Sequence, residues 1–209
     1  MPDRGYALLL GLRRHRDWAA LRPRAVEAAV DGLRRAYRVV VADIDPDVEG
    51  EDQCGSADVE DRNVLARTVA SRAAAVVVVG APGTKGVHSL VRAVDGLLEL
   101  GVPGGRLVPV VNRAPRGPRQ RAEVSRTVGS LVAGLRRGGA VPSPVFVPER
   151  RRLDDVIRDG GRLPSSVCAP VGVAVASIID RVPATGDEPP VEVEPVAVEP
   201  GSLGSWAEG

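Results

Sequence analysis

Aromatic side chains are almost missing from this sequence: one Phe, two Tyr and two Trp amount to 2% of 209 residues. A surface that stacks nucleic-acid bases needs aromatic planes between its cations, so base stacking is not expected. Cysteine is scarce too, and Cys54 and Cys168 stand apart without metal-ligand spacing, so neither a disulfide framework nor a zinc site is indicated. Two histidines, His15 and His88, have no Ser or Cys partner at a useful spacing, so a nucleophilic triad is not expected. Long apolar runs are lacking: Ala73 to Val79 is the longest unbroken one, and Val167 to Ile179 is interrupted by Pro170. Neither approaches the roughly 20 residues that a membrane-spanning helix requires. The start runs from Tyr6–Leu12 directly into Arg13-Arg14-His15-Arg16, a poor secretory signal, so a cytoplasmic location is expected. Lysine is the last scarcity. Lys85 is the sole one, and nearly all positive charge is arginine, a composition that reads first as high-G+C codon bias.

What is present is 44% apolar residues and 26% charged ones, enough for one ordinary globular core. The net charge of +1 hides a division. Residues 183–209 carry six acids and no base, so the preceding body holds 28 basic against 21 acidic residues, a balance of +7. That last segment alternates Val and Glu among prolines and cannot bury enough apolar surface to offset its ordering. A folded domain over 1–182 followed by a disordered acidic tail over 183–209 is the expected organisation.

Within 1–182, apolar β-branched runs recur at the spacing of a βαβ series: Tyr6–Leu12, Arg38–Asp43, Ala74–Gly80, Arg106–Asn112 and a shorter Val145–Pro148. Their continuity matches strands covered on both faces. Helical patterns lie between and after them, at Trp18–Ala36, Val59–Arg72, Val87–Leu100, Arg119–Arg137, Leu153–Arg158 and Pro170–Arg181. The expected fold is α/β, a mostly parallel, doubly wound sheet of about five strands with flanking helices.

Such sheets bind ligands at the carboxyl ends of their strands. The Arg38–Asp43 run feeds into Asp43-Ile-Asp45-Pro-Asp47 and then Glu49, Glu51 and Asp52. Asp43 has the position of a Walker B carboxylate, and it is equally placed to cap a helix. Six carboxylates in ten residues repel one another unless a cation or neighbouring arginines share the site. The run to Gly80 opens Gly80-Ala-Pro-Gly83-Thr84-Lys85-Gly86, a glycine-rich turn before a helix. It fails the Walker A pattern, since Thr84 stands where Gly must precede the lysine and Gly86 where the hydroxyl must follow. The next runs end in Val110-Val111-Asn112-Arg113 and Val147-Pro148-Glu149. Asn112 offers the donor and acceptor pair that suits an adenine edge, and asparagine is also common at strand ends. The five arginines from Arg113 to Arg126 read as a solvated loop and helix face, with contact to phosphate or an acidic partner left open.

The order of these pieces, a strand ending in Asp, one followed by a small-residue turn, one ending V-V-N-R, one ending V-P-E, then a Gly-Arg-Leu-Pro turn and a terminal helix, resembles the MinD/ParA family of deviant, SIMIBI-type P-loop ATPases. The resemblance spans roughly 5–182. It implies a P-loop NTPase-like fold, ATP and Mg²⁺ as cofactors, Asp43 or Asp45 as the metal ligand, and Asn112, Arg113, Pro148 and Glu149 at the nucleotide. It also implies a role in positioning or partitioning, as in chromosome partitioning and cell division, through a homodimer or a partner chain. The family's lysine-bearing Walker A loop has no counterpart here, so the resemblance implies a sheet incomplete at its N-terminus and no autonomous ATPase. The alternative expectation is a non-catalytic scaffold that binds partners through its basic face and acidic tail.

Overall fold

A computed structural model describes residues 6–12, 14–150 and 153–181; the expected tail over 183–209 lies outside them. The chain folds as α/β, with three parallel strands in the order β1-β2-β3: β1 (Val76–Gly80), β2 (Leu107–Ala114) and β3 (Val145–Pro148). Val76 to Gly80 pair residue by residue with Leu107 to Val111, and Val110 and Val111 pair with Val145 and Phe146. Around them run α1 (Pro23–Ala36), the single turn α2 (Glu51–Cys54), α3 (Ala57–Arg72), α4 (Thr84–Glu99), α5 (Pro118–Ala133), α6 (Leu153–Arg158) and α7 (Ser165–Ile179). Among the described residues no helix is long and apolar enough to cross a membrane.

The alternation of side chains along β2 divides the core in two. Leu107 and Val111 face a main cluster with Ala66 and Ala70 of α3, Val87, Leu90, Val94 and Leu98 of α4, and Val128 and Val132 of α5. Val108 and Val110 face the other way, with Val147 of β3, onto Ile178, Val171 and Val175 of α7. Central β2 is thus covered on both faces. On β1 only the first face is covered: Val78 is buried, whereas Val77 and Val79 are 39% and 59% exposed.

Two of the five expected strands do not form. Tyr6–Leu12 and Arg38–Asp43 have no regular structure, and their apolar side chains face solvent: Leu8, Leu9 and Leu10 are at least 76% exposed and Val41 is 91% exposed. Strand propensity describes side chains that suit a pleated, half-buried surface, and it becomes a strand only against a hydrogen-bonded neighbour. Directly after Asp43 the chain is bent by two side-chain turns, with Asp47 N–H donating to Asp45 Oδ1 at 2.9 Å and Glu49 N–H to Asp47 Oδ1 at 3.1 Å. These turns lead it to α3, where Arg62, Asn63 and Arg67 hold it.

Helix boundaries shift for proline and glycine reasons. The expected Trp18–Ala36 helix divides into a 3₁₀ segment, His15–Ala20, and α1, which starts on Pro23. Proline can open a helix but cannot accept a turn in front of it. The Arg119–Arg137 helix stops at Ala133, with Gly134 at its cap, and the chain folds back so closely that a Cβ on Gly138 would overlap the Val132 carbonyl. The last helix begins at Ser165, five residues before Pro170, and carries that proline in its second turn.

Candidate functional site

The strand ends at the carboxyl edge of the sheet hold most of the residues expected to act. After β1, the Gly80–Gly86 turn leads into α4 with Gly83 at φ 91°, a conformation that favours glycine. The flanking glycines answer to packing. A Cβ on Gly80 would lie 2.8 Å from Leu90 Cβ, and one on Gly86 would lie 2.2 Å from the Ala81 carbonyl oxygen. Lys85 is exposed beside them.

At the end of β2 the pairing with β3 slips: Val111 opposes Phe146, then Ala114 opposes Pro148, with Asn112 and Arg113 in the irregular step. Bulges of this kind redirect side chains at the ends of strands. Arg113 has φ 53°, and it is the sole non-glycine residue with positive φ among those described. An arginine gains nothing from the left-handed region, which costs about 1–2 kcal/mol for a residue with a Cβ. Asn112 sustains it locally, its Oδ1 accepting the Arg113 N–H at 2.8 Å.

The bulge and the loop after it enclose a polar pocket of about 450 Å³ lined by Arg113, Ala114, Pro115, Arg116 and Glu149. Of the expected nucleotide residues, Arg113 and Glu149 therefore meet. Asn112 borders the pocket through its bond to Arg113, and Pro148 precedes Glu149 and pairs with Ala114. Arg116 and Pro115 were expected only as parts of a solvated basic loop. The guanidinium of Arg121 donates to the Arg116 carbonyl at 2.8 Å and folds that loop onto the start of α5. Among the described residues neither Arg113 nor Arg116 takes part in an ion pair, and the first turn of α5 has Arg119 and no acid. Next to the pocket, Arg150 donates to Ser166 Oγ at 2.8 Å and ties the end of β3 to the start of α7.

The acidic stretch is arranged differently. Asp43 and Asp45 are exposed in the loop before α2, and no hydrogen bond or ion pair links them to the Arg113 pocket. Their neighbours are held from α3: Arg62 Nη2 lies 2.6 Å from Asp47 Oδ2, Asn63 Nδ2 reaches Asp47 Oδ1 at 3.1 Å and the Glu49 carbonyl at 2.9 Å, and Arg67 donates to the Val48 carbonyl at 2.8 Å. The repulsion within the acidic run is relieved by arginines and amides. Among the described residues no group of three or more His, Cys, Asp or Glu side chains is placed to hold a metal ion.

One other charged contact shifts a titration. Asp31 of α1 accepts a short hydrogen bond from Arg72 of α3, which together with the charges of Arg72, Arg34 and Arg35 lowers its pKa against the opposing effect of burial. The same bond raises Arg72. This contact fastens two helices remote from the pocket. No family model, no curated protein and no solved structure matches this chain, so the pocket's chemistry rests on its own residues.

Proposed function

We propose that the chain is a MinD/ParA-like, nucleotide-responsive positioning or partitioning protein that does not hydrolyse ATP on its own. The observation that supports this reading is the convergence of Arg113 and Glu149, flanked by Asn112 and Pro148, on one polar pocket at the carboxyl ends of β2 and β3. ATP is the cofactor, with Mg²⁺ carried on its phosphates and Asp43 or Asp45 as the carboxylate that meets it. The P-loop-like sheet of about five strands forms when Tyr6–Leu12 and Arg38–Asp43 join the free edge of β1, which ends the strand order β1-β2-β3. A second copy or a partner chain supplies the lysine-bearing loop, and the complex works in the cytoplasm.

The scaffold alternative draws on a different feature, the exposed apolar segments around Leu8–Leu10 and Val39–Val41, which suit protein contact. Titration calorimetry with ATP, alongside a phosphate-release assay, separates the two. Weak, saturable ATP binding without hydrolysis is expected. Absence of binding at millimolar ATP would sink the nucleotide reading and leave the scaffold. Tight Mg²⁺-dependent binding would move the phosphate site to the Gly80–Gly86 turn.

A further inference from the structure

We infer that the pocket between β2 and β3 grips the phosphate end of its ligand through the paired guanidiniums of Arg113 and Arg116, so that affinity resides in the ligand's phosphates and not in its base. This rests on the nucleotide reading for the identity of the ligand's remainder and departs from the family resemblance in one respect, seating phosphates and not the base beside Arg113 and Glu149. Four observations converge. The pocket has two cations and one carboxylate, Glu149, in its lining, a surplus of positive charge. Neither cation is matched by an acid elsewhere among the described residues. Arg113 is held in a left-handed conformation at a bulge, and such strain persists where the surroundings enforce it and concentrates at ligand clamps. The cavity, about 450 Å³, exceeds a phosphate group and lies within the range of small-molecule sites.

The chemistry follows from guanidinium geometry. Each guanidinium presents a planar fork of N–H donors that matches two phosphate oxygens, and charge-assisted bonds of that kind are roughly twice as strong as neutral ones. Two such forks on residues that line one cavity suit a diphosphate better than a single carboxylate. Glu149 repels the same phosphates and limits how deep they sit. The lining has no aromatic ring, so a base finds only guanidinium planes to stack on and contributes less than the phosphates.

Inorganic pyrophosphate, ADP, ATP and adenosine, titrated separately by calorimetry into the full chain at low ionic strength, test the inference. Pyrophosphate, ADP and ATP are expected to bind, with adenosine silent, and added salt should weaken all three. Arg113→Asn removes the fork but tolerates the left-handed backbone, so it keeps the bulge while lowering pyrophosphate affinity about tenfold. Arg116→Ala should do the same, and Arg113→Lys should recover part of the loss. Lys85→Ala, on the neighbouring glycine turn, should change nothing. Adenosine binding with pyrophosphate silent would overturn the inference and leave the nucleotide reading intact. Pyrophosphate binding that depends on Lys85 and ignores both arginines would overturn it as well. Pyrophosphate binding without any ATP binding would uphold the phosphate grip and sink the nucleotide reading, and silence from all four ligands would sink both.

Discussion

At Gly86 a single methyl group would meet a wall of backbone atoms. It lies in the first turn of α4, and a Cβ there would stand 2.2 Å from the Ala81 carbonyl oxygen, 2.7 Å from its carbon and 3.0 Å from its Cα. All three are backbone atoms, so no rotamer change relieves the overlap. Ordinary contact would need the turn and the helix to part by roughly 1 Å, which loosens Val87 and Leu90, the latter 1% exposed against β1. Overpacking of this kind costs typically 1–3 kcal/mol, and alanine's better helix propensity returns at most about 1 kcal/mol. Against a rigid carbonyl the cost belongs at the top of its range, so Gly86→Ala should destabilise by about 2 kcal/mol, a fall in Tm of roughly 4–8 °C for a chain of this size. Gly129→Ala is the control. It stands mid-α5 with no atom within 4 Å of the added carbon, and should stabilise by about 0.5–1 kcal/mol. Urea denaturation followed by far-ultraviolet circular dichroism at unchanged m-value measures both. If the two variants shift the midpoint in the same, stabilising direction, the packing account of the Gly80–Gly86 turn is wrong and its glycines answer to something else.

Two further outcomes are expected. The pKa of Asp31 is lowered in the fold, so the contact with Arg72 contributes stability at and above the ordinary carboxylate range near pH 4 and loses it as pH falls through the lowered value. Asp31→Asn should therefore flatten the acid limb of a stability-against-pH curve, and an unchanged limb would mean that Arg72 does not hold that carboxylate in solution. Val77 and Val79 leave β1 with an apolar, uncharged outer side, so light scattering across a concentration series should show a mass rising above 21.9 kDa, and Val79→Lys should suppress the rise with little change in Tm. A constant monomer mass for the unaltered chain would contradict this.

The three strands and most helices were legible because each is a local pattern closed at both ends. β3 was read at its observed bounds, Val145–Pro148, and so was α6, Leu153–Arg158, while β2 extended two residues beyond its expected end. Tyr6–Leu12 and Arg38–Asp43 carry the same composition but no ladder, and pairing is a tertiary event that apolar runs alone do not specify. At the pocket, Arg113 and Glu149 were indicated by their places at strand ends. Arg116 was hidden among five arginines, and nothing about an arginine announces a left-handed backbone or a register slip. The acidic run was ambiguous for a different reason. The cations that hold it, Arg62 on the Asp47 carboxylate and Arg67 on the Val48 carbonyl, sit 15 and 19 residues away and reach it only through the packing of α3.

The way α1 is attached gives the molecule an order of undoing. Its main fastening is α3, through Arg72 to Asp31 and Glu27, while β2 sits under helices on both sides with Leu107 and Val111 sealed from water. Under load or heat, the outer layer can peel from α3 by breaking half-buried ion pairs and uncovering Val26, whereas β2 opens only when everything around it has opened. A quality-control protease would thus meet a chain that yields its first helix early and its sheet late, and the amide protons of β2 would keep the slowest clock in the molecule.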